Sequence, residues 1–193
     1  KLRELEEEEV YIVVGGFGGL GQVICRYLIT KKNSNVLLIG RKSKENIEKL
    51  KKLESEFGNY RKKLNICFAS VLEPEKLMKI VSDIVSNGKK VVGVFYVVGI
   101  QKFGMIQNRN ITESKEVIMS KSQGLINVLD ALKNTTFDFF VSFSSITGII
   151  GGIGNLDFTA ANLFMDAYCE YYKLMYRKNV ISIAWDSWCE VGA

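Results

Sequence analysis

The sequence predicts an α/β chain built on one doubly wound parallel sheet flanked by helices. Three observations carry this: six short apolar runs rich in β-branched residues, longer amphipathic segments alternating strictly with them, and a cluster of glycines directly after the first apolar run. The runs are "YIVV" (11–14), "VLLI" (36–39), "LNICF" (64–68), "VVGVFYVV" (91–98), "FDFFVSF" (137–143) and "VISIAW" (180–185). They are apolar nearly throughout, as expected of parallel strands buried on both faces. Helical periodicity falls at 20–31, 43–57, 74–87, 112–133 and 155–177, with Pro74 suited to the first turn of the third helix. Neither an internal repeat nor a second domain is visible.

Residues 1–9 read as a linker or frayed helix, with the acids Glu6 to Glu9 solvated, and residues 10–193 as one domain. The chain stops at "DSWCEVGA", straight after the sixth strand, so the expectation is a piece of something larger. A 193-residue chain with 47% hydrophobic and 24% charged residues has an ordinary globular balance. Apolar runs are too short to span a bilayer and the start lacks a signal-peptide pattern, so a cytoplasmic chain without membrane contact is expected. With no histidine, and four cysteines lacking C-x-x-C spacing, there is no material for a zinc site or a histidine triad. The net charge of +5 is spread over helix faces such as "KKLESEFGNYRKK", which argues against a nucleic-acid surface and suits docking of an acidic partner.

The turn "VVGGFGGLGQ" places Gly15, Gly16, Gly18, Gly19 and Gly21, with Leu20 among them, between the first strand and the first helix. Glycines there permit a tight turn, close approach of backbone to a pyrophosphate, and close helix–strand packing, as in a Rossmann-like dinucleotide site. About twenty residues on, a site for NAD would carry an acid to hold the ribose 2′-hydroxyl. "LLIGRKS" offers Arg41, Lys42 and Ser43 instead, which suit a 2′-phosphate, so NADPH is the expected cofactor.

Ligands of such folds bind beyond the carboxyl ends of the strands. That puts Ser144 and Ser145 of "SFSSITG", and the stretch "VVGIQKFG", at the reactive edge. Phe158 and Asn162 are i and i+4 on the following helix and share a face; Lys121 of "MSKSQGLINVLDAL" lies on the preceding helix, where it can pack alongside them.

With "VYIVVGGFGGLG", "LLIGRKS", "KSQGLINVLDAL", "FFVSFSSITGIIGGIGNLDFTAANLFMDAYCEY" and "ISIAWDSW", the chain from Val10 to Ala193 resembles the short-chain dehydrogenase/reductase superfamily. Within it, the resemblance is to the ketoreductase domains of modular polyketide synthases. Those domains are similar in exchanging Lys and Asn relative to ordinary short-chain reductases, and Lys121 and Asn162 follow the exchange. The resemblance implies NADPH-dependent reduction of a β-ketoacyl thioester delivered on the phosphopantetheine arm of an acyl carrier protein, among neighbouring polyketide synthase domains. It implies that Ser145 hydrogen-bonds the carbonyl oxygen, a tyrosine hydroxyl protonates the alkoxide, Lys121 depresses that tyrosine's pKa, and Asn162 holds the lysine and a water relay. It also implies a cofactor set that adds Ser70, Val71 and Gly99 to the glycine turn and Arg41, Lys42 and Ser43. The family's structural half-domain and lid are not recognisable in the sequence, so the chain is expected to be the catalytic subdomain alone.

The sequence departs from the family where chemistry matters most. The tyrosine is Phe158, within "FTAAN". A phenyl ring has no proton to give, and loss of a general acid typically costs about two to four powers of ten in rate. Tyr168 cannot replace it, being ten residues and about 15 Å further along the helix axis. Val14 stands where the family commonly has Thr, Ser70 where it has Asp, and "YVVG" (96–99) where it has an H-A-A-G type motif; the L-D-D fingerprint is missing. Four readings stay open: a reductase using another donor, a non-reducing scaffold domain that still binds NADPH, a phenylalanine introduced to trap a complex, and a short-chain reductase of free ketones.

Overall fold

The computed structural model describes residues 7–189 and 191. Six strands, β1 (Glu9–Val14), β2 (Val36–Gly40), β3 (Leu64–Phe68), β4 (Lys90–Tyr96), β5 (Phe139–Ser145) and β6 (Val180–Trp185), form one parallel sheet in the order β3-β2-β1-β4-β5-β6. The order reverses between β1 and β4. A crevice therefore opens at their carboxyl ends, where the connections from β1 and β4 leave in opposite directions.

The helices are α1 (Gly19–Arg26), running on into a π-helical turn Tyr27–Lys31, α2 (Lys44–Phe57), α3 (Pro74–Ser86), α4 (Ile111–Ala131), the single-turn α5 (Thr147–Ile150) and α6 (Leu156–Tyr176). Side chains alternate across β1, so Val10, Ile12 and Val14 join α3, α4 and α6 in one core while Tyr11 and Val13 join α1 and α2 in the other. Both faces of the central strands are thus buried, which is why those strands read as continuous apolar runs.

Local chemistry sets the helix starts. Ser43 Oγ accepts from Asn46 N–H at 3.0 Å and Asn110 Oδ1 from Thr112 N–H at 2.8 Å, while Pro74 occupies the first turn of α3. The carbonyl end of α4 is closed from outside: Lys178 Nζ donates to the Leu132, Lys133 and Thr135 carbonyls at 3.0, 2.7 and 2.9 Å. Lys178→Met leaves these acceptors without their cation, and urea unfolding should show a loss of about 1–3 kcal/mol.

Among the boundaries that differ from expectation, two involve functional or charged residues. Glu9, expected in a solvated linker, begins β1; it is buried beside Lys90, its partner in register, with the charges 3.9 Å apart. Residues 7 and 8 form a turn, and the rest of the expected linker lies outside the described residues. At β5 the strand runs two residues further than expected, so Ser144 and Ser145 end it rather than follow it. Among the described residues no helix is long and apolar enough to cross a membrane.

Candidate active site

A cavity of about 370 Å³ opens at the carboxyl edge, in the crevice between β1 and β4. Its walls come from the glycine turn (Gly15, Phe17, Gly18), the end of β2 (Gly40, Arg41), the end of β3 (Ala69 to Leu72) and the end of β4 (Val97 to Ile100). Helix α2 adds Glu45, Asn46 and Lys49, and α4 adds Glu116 and Ser120.

The turn's glycines divide by role. Gly15 has φ +88° and presses on the Val97 backbone, where a Cβ would come within 2.9 Å. A Cβ on Gly16 would strike Leu38 Cγ at 2.4 Å, and one on Gly21 the Gly16 Cα at 2.4 Å, so both serve packing of turn, helix and strand. Gly18 is exposed and its missing Cβ would meet nothing closer than 3.4 Å, leaving backbone open to a ligand; Gly19 is exposed as the first residue of α1, and Leu20 is half-buried behind it. An open helix N-terminus over a side-chain-free floor fits a pyrophosphate.

Of the three residues expected to hold a 2′-phosphate, Arg41 lines the cavity. Lys42 is exposed outside the lining, and Ser43 is engaged as the α2 cap. Ser70, Val71 and Gly99 all line it. Ser70 is ordered by its own loop: its N–H donates to Glu73 Oε2 at 2.8 Å and its Oγ accepts from Leu72 N–H at 3.2 Å.

Lys121, Ser145, Phe158 and Asn162 come from α4, β5 and α6; Phe158 meets both Lys121 and Asn162, while the hydrogen bonds of Ser145 Oγ run to Thr147. The Lys121 side chain is buried under Gly99, whose absent Cβ would lie 3.2 Å from Cε. The ammonium donates to the Phe143 carbonyl at 3.2 Å, lies 3.7 Å from Met165 Sδ, and sits 5.2 Å from the centre of the Phe158 ring. Burial pulls the Lys121 pKa down to about 8, with Asp166 opposing part of the shift. Asn162 is fully buried; its Nδ2 donates to the Phe158 carbonyl at 2.7 Å and its Oδ1 has no partner among the described residues. Ser145 Oγ accepts from the Thr147 N–H at 3.3 Å and hydroxyl at 3.0 Å, which leaves its own proton to donate elsewhere.

Other hydroxyls do not substitute for the missing phenol. Tyr96 is completely buried, its OH bonded to the Ser120 carbonyl at 2.6 Å and its pKa raised well above the ordinary value by desolvation. Tyr168 stacks on Phe164 and packs beside Tyr171 and Tyr172.

Several contributors escaped the sequence reading. Phe17, within the glycine turn itself, is buried against Gly40 and stacks on Phe68 with ring centres 5.7 Å apart. Glu45 and Lys49 share one face of α2 at i and i+4, a signal present in the sequence but common to any solvated helix. Arg109 and Asp157 form a buried ion pair 48 positions apart, which no local pattern announces. With a Gly104 N–H to Gly154 carbonyl bond of 3.0 Å, this pair ties the loop after β4 to the start of α6, where Phe158 sits.

Comparison with known proteins bears on this geometry. A family model described as the KR domain matches residues 9–190. The polyketide synthase PksN of Bacillus subtilis (strain 168) is 30% identical over 197 residues, covering 97% of this chain and 4% of that protein. A crystal structure of a ketoreductase domain from the bacillaene assembly line superposes with a TM-score of 0.82 at 28% identity, over 100% of this chain and 48% of the other. A short-chain dehydrogenase/reductase from Mycobacterium ulcerans, 16% identical with a TM-score of 0.78 over 90% of this chain and 64% of its own, shares the fold. The chain therefore spans about 4% of that synthase and about half of the solved ketoreductase. The match of fold and sequence over nearly the whole length makes this chain a member of the KR domain family, the ketoreductases of polyketide synthases, on the short-chain dehydrogenase/reductase fold.

Proposed function

We propose that this chain is the catalytic subdomain of a polyketide synthase ketoreductase that binds NADPH and reduces a β-ketoacyl thioester to the β-hydroxyacyl thioester, at a rate depressed by Phe158. The substrate arrives on the phosphopantetheine arm of an acyl carrier protein, and neighbouring synthase domains are the other partners. The observation that carries this is the Lys121 ammonium facing a phenyl ring at 5.2 Å, a cation placed to tune an acid that has no proton.

In this reading Gly15 and Gly18 admit the pyrophosphate, Arg41 neutralises the 2′-phosphate, and Ser70, Val71 and Gly99 wall the nucleoside. The bound cofactor supplies the hydride. Ser145, its oxygen already accepting from Thr147, donates its proton into a hydrogen bond with the substrate carbonyl. Lys121 stabilises negative charge developing on that oxygen, and Asn162 Oδ1, buried and unpartnered, is the acceptor available to a relay water. With no donor at position 158, the alkoxide takes its proton from solvent water through that relay, and the loss of a positioned general acid costs about two to four powers of ten.

A second reading, a scaffold domain that binds NADPH without reducing, is favoured by the inward engagement of the polar set: Lys121 on the Phe143 carbonyl and Asn162 on the Phe158 carbonyl. Titrating the protein with NADPH and with NADH, followed by nicotinamide fluorescence, tests what both readings share. Saturable binding that is tighter for NADPH is expected; no binding of either dinucleotide overturns both.

A further inference from the structure

Helix α2 contributes two opposite charges to the cavity wall beyond Arg41. Lys49 Nζ lies 2.5 Å from Glu45 Oε1, and both residues line the cavity with Arg41 and Asn46. The lysine side chain is 40% exposed against 73% for its partner, so more of the lysine than of the glutamate is covered, while their charges meet at the mouth of the cavity. An exposed i, i+4 pair is worth only about 0.3–0.5 kcal/mol, so the lysine leaves it readily for a dianion. The one other acid on the wall, Glu116, has its own cation in Lys102 at 3.7 Å. Asn46 Nδ2 donates to the Arg41 carbonyl at 2.8 Å, which ties the end of β2 to the first turn of α2 and holds Arg41 and Lys49 on one wall.

We infer that Lys49 and Arg41 together grip the 2′-phosphate of the cofactor, and that Glu45 is the counter-charge that sets how tightly. This rests on the NADPH reading above and adds a residue that reading does not need. A cofactor with a bare 2′-hydroxyl leaves Lys49 on Glu45; one with a 2′-phosphate draws the ammonium across, and discrimination between the two comes from this exchange as well as from Arg41.

The test uses calorimetric titration with adenosine 2′,5′-bisphosphate and adenosine 5′-monophosphate at low ionic strength, where exposed charges are least screened. Wild type should prefer the bisphosphate. Lys49→Ala should cut that preference about tenfold, the scale of one charge-assisted hydrogen bond. Glu45→Gln should raise it several-fold, and Lys51→Ala, an exposed lysine of α2 outside the cavity wall, should leave it unchanged. A wild type that prefers the bisphosphate while Lys49→Ala keeps the full preference overturns the role of Lys49 and spares the NADPH reading. A wild type that binds both equally, or neither, overturns the two together.

Discussion

Lys121→Met is expected to stabilise the protein by about 3 kcal/mol at pH 7, because it removes a buried ammonium whose pKa has fallen from 10.5 to about 8. Below pH 8 the lysine is protonated in both the folded and unfolded chain, so the cost of burying the charge is full and constant. Between pH 8 and about 10.5 the unfolded chain binds the proton and the folded one does not, so wild-type stability rises with pH through that window. The variant lacks this rise. Urea unfolding at pH 7, 9 and 10 should show a gap between the two proteins that is widest at pH 7 and closes as pH increases. Met keeps the stem's volume and gives up one hydrogen bond to the Phe143 carbonyl, which offsets part of the gain. Under the proposed function, this cost is one the fold bears for chemistry rather than for stability.

The sheet was legible because its strands are continuous apolar runs set between amphipathic segments, and each expected strand and helix is found within two or three residues at most ends. The π-helical close of α1 at Tyr27–Lys31 was not, since it depends on how the helix meets the sheet rather than on periodicity. Nor was the burial of Glu9, which follows from its register with Lys90 on another strand. Of the expected site residues, the glycine turn borders the cavity and Lys121 faces Phe158, both on elements that the sequence pattern located. Lys42 and Ser43 shared the positive, polar composition of Arg41, but the direction in which α2 departs sends only Arg41 to the cavity and uses Ser43 as a cap. Lys49 lines the cavity from a helix face whose spacing any solvated helix could show, while the packing of Phe17 and the Arg109–Asp157 pair depend on tertiary contacts that no local pattern announces.

Phe158→Tyr is expected to raise NADPH-dependent reduction of a β-ketoacyl thioester by about two to four powers of ten, the usual worth of a positioned general acid. The surroundings already suit a phenol. The Lys121 ammonium, 5.2 Å from the ring centre, lowers the pKa of a hydroxyl placed there, and the ring is half-buried. The Arg109–Asp157 pair holds the first turn of α6, so the new hydroxyl enters a fixed frame rather than a mobile loop. Adding Lys121→Met to Phe158→Tyr should give back part of that gain, because the phenol loses the cation that strengthens it as an acid.

The most direct measurement is the turnover of wild type and Phe158→Tyr side by side, at saturating NADPH and with one carrier-bound β-ketoacyl thioester, read as loss of NADPH absorbance. The account predicts a ratio of about a hundred or more in favour of the tyrosine variant. Equal rates, whether both fast or both at background, would contradict it.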